Sequence, residues 1–202
     1  MVEDFSARLF EGVRATPPAE WLAVVFGLLY VVFIIRRQRI GWVFGGISSA
    51  ILVVLAAQAR LPMNALLQAS YVIAAVYGWW TWSRASKSAP IAFWTLRGHA
   101  LSLLACVLAS LLLAQWLARD GASAFPFVDS MVACAGLVAT WMVARVYIEN
   151  WLYWIAVDAV SIYLYFSQGL IVASLLYVLF LLIATVGFFN WLAKYRRQTG
   201  AA

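Results

Sequence analysis

The chain predicts an all-α membrane protein of seven transmembrane helices arranged as a 3+1+3 parallel repeat. Three observations predict it. First, 66% of the residues are hydrophobic and 11% are charged, where a soluble domain is nearer half apolar and a quarter charged. Second, seven apolar runs are each long enough to cross about 30 Å of hydrocarbon, which takes roughly 17 to 25 residues. Third, two stretches 109 residues apart read alike: Gly78-Trp79-Trp80-Thr81-Trp82 and Gly187-Phe188-Phe189-Asn190-Trp191. Each is Gly-x3-Trp at the end of an apolar run, just before a basic cluster.

Residues 1–18 are mixed polar, contain Pro17-Pro18, and lack the basic and apolar regions of a signal peptide. Phe5, Leu9, Phe10 and Val13 suit a short helix lying in the membrane interface. The spans follow at Ala19–Ile35, Gly41–Ala59, Met63–Trp82, Ala100–Ala118, Val128–Ala144, Trp151–Gln168 and Leu170–Ala193. They are helices because lipid offers no partner to unpaired backbone groups. The expected organisation is a first three-helix repeat over 19–82, a linker with the fourth helix over 83–127, a second repeat over 128–193, and a basic tail over 194–202. Cys106 and Cys134 both fall inside apolar segments and are expected as small core residues, not a disulfide.

The net charge is +6, but the positive residues sit in short loops, where they orient a membrane chain and do not mark nucleic-acid binding. Arg36, Arg37, Arg39, Arg84, Lys87, Arg97, Arg145, Lys194, Arg196 and Arg197 fall on one side, ten of the 14 Lys and Arg. Arg8, Arg14, Arg60 and Arg119 fall on the other. The positive-inside rule puts the N-terminus outside and the C-terminus in the cytoplasm. Each trio of spans then runs from outside to inside. A second trio in the same orientation needs one helix to return the chain, and the fourth span supplies it. Glu20 and Asp129 open the two trios at the same 109-residue offset. Repeats of this kind hold a substrate between them in many transporters.

Little here suits an enzyme. The single histidine, His99, lies in a loop; no His, Cys and Asp group has metal-ligand spacing; no Gly-x4-Gly-Lys-Ser/Thr loop is present. No cofactor is called for. The polar residues inside spans are more informative. Asp158 lies in the sixth span, where a carboxylate costs at least about 2.5–3.5 kcal/mol on insertion scales. It is expected to face the bundle interior, as a counter-ion for a cation, as a proton site, or in a structural hydrogen bond. Asn150, Trp154 and Asp158 recur every four residues and share a helix face, about 6 Å apart along the axis. An amide, an indole and a carboxylate in a column suit a flat, polar, cationic heterocycle. On the third span Asn64, Gln68 and Tyr71 share a face, and Tyr177 is the repeat partner of Gln68. These either line the substrate path or hold helices together. Gln58 closes the second span as Gln168 closes the sixth. Glu149 is expected to pair with Arg145, four residues away.

The segments Tyr77-Gly78-Trp79-Trp80-Thr81-Trp82-Ser83-Arg84, Ala124-Phe125-Pro126-Phe127-Val128-Asp129-Ser130 and Tyr147-Ile148-Glu149-Asn150-Trp151-Leu152-Tyr153-Trp154 resemble the PnuC family of vitamin-precursor transporters. The resemblance extends from about Glu20 to Trp191. It implies a SWEET-like fold, homotrimers, and facilitated diffusion of nicotinamide riboside across the bacterial inner membrane, with a cytoplasmic kinase trapping the product. It also implies that Asn150 and Trp154 belong to the substrate site and that Trp79 and Trp82 belong to a gate. This chain departs from the family's pattern at Asp158 and at Ser48, expected as its repeat counterpart, where relatives carry asparagine. Other relatives carry thiamine or riboflavin. A carboxylate at 158 disfavours neutral riboflavin but suits both cationic vitamins. A proton-coupled carrier using Asp158 and a membrane scaffold without transport are the remaining readings.

Overall fold

The computed structural model describes residues 2–84, 90–119 and 125–200. Lys87 and Ala124, and the side chains of Phe5, Arg8 and Arg119, lie outside the described residues. Eight helices follow one another: α1 (Val2–Ala15), α2 (Pro18–Ile35), α3 (Ile40–Gln58), α4 (Pro62–Arg84), α5 (Leu96–Arg119), α6 (Pro126–Ala144), α7 (Asn150–Ser167) and α8 (Ile171–Thr199). The last seven coincide with the seven expected runs. The ends differ most at α5, which starts four residues early, and at α8, which carries the basic tail as continuous helix to Thr199. Five of them, α2, α3, α5, α6 and α8, are long and apolar enough to cross a membrane. The α4 and α7 helices are as long but less hydropathic. They carry Asn64 and Gln68, or Asn150 and Asp158, with many Trp and Tyr.

Prolines start three of the helices. Pro18 and Pro126 sit in the first turn of α2 and α6, and Pro62 begins α4. There a missing N–H costs nothing and the fixed φ already suits a helix. The α1 helix forms as expected and lies against α8, where the absence of a Cβ at Gly12 makes room for Val172. Phe10 on this helix stays 57% exposed, with the Arg14 guanidinium over its ring.

The helices α2–α4 and α6–α8 form two trios with like contacts. Within α2–α4, α3 lies between its two neighbours; within α6–α8, α7 does the same. The first helix of each trio meets the third of the other, α2 on α8 and α6 on α4, and α5 packs on α6. This is the contact pattern of a pseudo-twofold axis between the trios.

The repeat reaches individual atoms at the end of the bundle that carries most of the Arg and Lys, here the basic end. Trp42 closes onto Gly78, and Trp151 onto Gly187, each leaving no space for a Cβ. Trp42 meets Trp82 edge-on at 5.6 Å and 89°, and Trp151 meets Trp191 at 5.5 Å and 86°. Trp82 then donates Nε1–H to the Ala144 carbonyl at 3.1 Å, and Trp191 donates to the Ile35 carbonyl at 3.3 Å. Every one of these pairs differs by 109 residues. Both hydrogen bonds cross from one trio to the other.

The helix ends repeat as well. Arg37 and Val146 take positive φ of 59° and 60°, as do Arg60 and Gly169 at 57° and 75°. Each closes a six-to-one turn, such as Gln38 N–H to Phe33 O at 2.9 Å and Tyr147 N–H to Met142 O at 3.0 Å. Glycine is usual at this position because a Cβ is strained there; three of the four residues here are not glycine. The Val146 loop is held from outside. The linker strand passes beside it, with Ala92 N–H donating to Val146 O at 3.2 Å and Ile148 N–H donating to Ala92 O at 3.0 Å.

That linker corrects one expectation. Glu149 does not turn to Arg145: its Oε1 accepts the Trp94 N–H at 2.9 Å and lies 3.3 Å from His99 Nε2. Arg145 lies beside Tyr77 and Tyr147 instead. The repeat register also pairs Asp158 with Ser49, not with Ser48. Cys106 and Cys134 are free thiols.

Candidate functional site

Between the trios lies a cavity of about 240 Å³. Its walls come from α2, α3 and α4 on one side and α6, α7 and α8 on the other. It follows the pseudo-axis, because most of its lining residues form repeat pairs. Ile34 faces Val143, Trp42 pairs with Trp151, and Ala75 with Ala184 at the basic end. Gly45 pairs with Trp154, and Tyr71 with Phe180, in the middle. Ser49 pairs with Asp158, and Gln68 with Tyr177, in the layer beyond.

Among the described residues, Asp158 is the only charged one of the lining, and it is 3% exposed. No side chain among the described residues hydrogen-bonds its carboxylate, so the structural hydrogen bond to Tyr, Ser or Gln is not what holds it here. Burying an unpaired charge is costly, and such groups serve a ligand or take up a proton. Seven rings surround the space: Tyr30, Trp42, Tyr71, Trp151, Trp154, Tyr177 and Phe180. One carboxylate among aromatic faces, with no Lys or Arg in the lining, favours a cationic, planar guest. The volume lies just under the roughly 300–1,000 Å³ usual for ligand pockets, which suits a small one.

The sequence-predicted residues divide. Gln68, Tyr71, Trp154, Asp158 and Tyr177 come together in the cavity. Tyr177 is stacked on Tyr165 at 5.1 Å and 12°, which fixes its ring. Asn150 is fully buried outside the lining, with Nδ2 donating to Tyr147 O at 2.6 Å and Oδ1 unpartnered among the described residues. Gln58 and Asn64 are exposed and do not reach the cavity. Trp82 forms the cross-trio bond already given, and Trp79 lies under the Arg39 guanidinium, 4.9 Å from its ring centroid.

Sequence reasoning missed Tyr30, Trp42, Ser49, Trp151 and Phe180 as cavity residues. Four of them had a signal: Trp42 with Trp151, Tyr71 with Phe180, and Asp158 with Ser49 are partners at the 109-residue offset. Tyr30 had none, since its repeat partner is Ala139. It fills the space beside Gly45, where a Cβ would strike its ring.

Two glycines show why the cavity sits where it does. Gly136 gives room to the Tyr71 hydroxyl and Trp154, and Gly27 gives room to Phe180. Each glycine belongs to the first helix of one trio and admits a ring from the third helix of the other.

A bundle of apolar helices with a cavity between its two trios is the architecture of a membrane transporter. The chain belongs to the family described as nicotinamide mononucleotide transporters, whose profile matches residues 17–193. It is 26% identical to the nicotinamide riboside transporter PnuC of Escherichia coli K12, over 91% of this chain and 88% of that one. It is also 26% identical to the riboflavin/roseoflavin transporter RibM of Streptomyces davaonensis, over 87% of this chain and 84% of that one. The crystal structure of the vitamin B3 transporter PnuC shares its fold, with a TM-score of 0.71, 24% identity, and coverage of 97% of this chain and 90% of that chain.

Proposed function

We propose that this protein carries nicotinamide riboside across the bacterial inner membrane. The observation that carries this reading is Asp158, an unpaired carboxylate in a small cavity walled by rings. Nicotinamide riboside has a pyridinium that Trp154 can stack and Asp158 can offset. Asn150 acts from behind, by fixing the start of α7. Riboflavin fits poorly: its fused tricycle is large for about 240 Å³ and carries no cation. Thiamine is the second reading, because its aminopyrimidine can meet a carboxylate through two hydrogen bonds.

All seven long helices span the membrane in a 3+1+3, SWEET-like arrangement, with the N-terminus outside and the basic end in the cytoplasm. The Arg and Lys bias and the trio contacts support this. Transport is facilitated diffusion by a homotrimer, with the product trapped by cytoplasmic phosphorylation. The loaded and the empty carrier both switch between inward and outward states, and ligand shifts that balance only by binding the states differently. Trp82, with Trp79 beside it, belongs to the cytoplasmic gate, since its bond to Ala144 joins the trios at that end.

Titration calorimetry of the purified protein with nicotinamide riboside, thiamine and riboflavin tests the reading. Binding of the riboside is expected. Binding of thiamine alone transfers the assignment to thiamine. Uptake into vesicles that lack the kinase separates mechanisms: loss on adding an uncoupler makes Asp158 a proton site instead.

A further inference from the structure

Glu149 stands at the N-cap position of α7, where an acidic side chain ordinarily turns onto the helix's own first N–H groups. It makes no such bond. Its Oε1 points away from α7 and meets two partners on the linker side, the Trp94 N–H at 2.9 Å and His99 Nε2 at 3.3 Å. The other ring nitrogen of His99, Nδ1, lies 3.1 Å from the Tyr153 hydroxyl, back on α7. An ionised carboxylate only accepts, so in the neutral imidazole Nε2 carries the proton and Nδ1 accepts from Tyr153.

The linker side of this clamp is itself held. Ser102 Oγ donates to the His99 carbonyl at 2.9 Å. The Trp94 indole meets the imidazole edge-on at 5.0 Å and lies against Gly98, where no Cβ fits. The side chains of His99 and Glu149 are 20% and 12% exposed, so water competes little for their bond.

Two columns of side chains run along α7. Glu149 and Tyr153, four residues apart, meet the linker side. Trp154 and Asp158, also four apart, line the cavity. At about 100° per residue the second column lies a little over a quarter turn round from the first. Any rotation of α7 about its own axis moves both columns together, so holding the first aims the second. The other trio lacks this pairing. At the 109-residue offset Glu149 and Tyr153 correspond to Ile40 and Phe44 on α3, and Trp154 and Asp158 to Gly45 and Ser49. The clamp therefore occurs on the helix that carries the indole and the carboxylate of the cavity.

We propose that Glu149 is a positioning residue for the transport site: through Trp94 and His99 the linker sets the rotation of α7 that turns Trp154 and Asp158 onto the pseudo-axis. Glu149 itself touches no substrate. This rests on the cationic-riboside reading above.

Calorimetric titration of nicotinamide riboside into wild type, Glu149→Gln, Glu149→Leu and His99→Phe tests it. Both linker bonds end on Oε1, so the glutamine keeps an acceptor for each, and the leucine keeps length and loses both. Glu149→Leu is expected to bind the riboside about fivefold more weakly, the size of one net hydrogen bond, and Glu149→Gln within about twofold of wild type. A misfolded fraction lowers the number of sites and leaves the affinity of the remainder unchanged, so a purely structural role does not move this readout. If Glu149→Leu does not fold, His99→Phe, which keeps the Trp94 bond, carries the same comparison. Amide hydrogen exchange reads α7 without ligand: faster exchange over residues 150–157 is expected in the leucine variant and not in the glutamine variant. Wild-type affinity in Glu149→Leu overturns the positioning role, and so does an equal loss in the glutamine and leucine variants. If wild type binds no riboside, the carrier reading falls and exchange alone decides: quickening confined to 150–157 keeps Glu149 as the residue that sets α7, and unchanged exchange removes it.

Discussion

The basic end of the bundle and the middle of its cavity are built from the same repeat and have diverged to different degrees. At the basic end the two trios match residue for residue: Gly78 and Gly187, Trp42 and Trp151, Trp82 and Trp191, even the carbonyls of Ile35 and Ala144. In the middle the partners are unlike. Gly45 stands against Trp154, Ser49 against Asp158, Gln68 against Tyr177, Tyr71 against Phe180. The difference has a physical cause. Closing the bundle asks the same of both trios, so one packing solution serves twice. On the proposal of a cationic substrate, the ligand is not symmetric, and a site that recognises it puts the carboxylate and the stacking indole on one trio only.

The comparison breaks most sharply at the glycines. Gly78→Ala and Gly187→Ala each place a Cβ into a buried tryptophan ring, and overpacking of this kind costs about 1–3 kcal/mol. The two variants are expected to lower the melting temperature in detergent by similar amounts. A loss confined to one of them means that the trios do not share the closure. Next come the residues that make the middle asymmetric. Trp154→Ala is expected to weaken riboside binding about thirtyfold, the size of a desolvated cation–π contact of about 2 kcal/mol. Asp158→Asn is expected to weaken a cationic ligand about tenfold and its neutral analogue less than twofold. Equal effects of Asp158→Asn on both ligands make Asp158 structural. The smallest effects belong to the latches. Trp82→Phe and Trp191→Phe each remove one hydrogen bond between the trios, worth about 1 kcal/mol, measurable as a shift in the denaturation midpoint. The Trp191 variant is expected to lose slightly less, because Lys194 still donates to Ile35 O.

The linker draws a second asymmetry. Residues 90–99 run along the α6–α8 trio only. Ile91 N–H donates to Gln198 Oε1 at 3.1 Å, Phe93 meets Tyr195 edge-on, and Trp94 packs against Trp141 and Tyr147. His99 bridges Tyr153 and Glu149 at 3.1 and 3.3 Å. This strap holds Val146 in its positive-φ turn, a position that a β-branched residue rarely adopts. Beside the equivalent turn at Arg37, Lys194 reaches the Ile35 carbonyl.

The sequence by itself determined the long helices and their order and carried the 109-residue offset, because apolar run length, proline at helix starts and a recurring motif are local signals. It also picked out Asp158 and Trp154, since a carboxylate and an indole one turn apart are out of place in an apolar helix unless they face something. Only the tertiary structure decided which polar residues share the cavity. Asn150 and Trp154 lie on one face of α7, yet α7 is packed on both sides at its first turn, so Asn150 is enclosed while Trp154 opens onto the axis. The turns at Arg37, Arg60 and Val146 carry no glycine to announce them. The partners of Glu149 came from 55 and 50 residues away, the Trp94 N–H of the linker and His99 at the start of α5. Whether the buried N–H of Trp82 or Trp191 finds an acceptor is likewise invisible in a sequence, because it depends on a carbonyl supplied by the opposite trio.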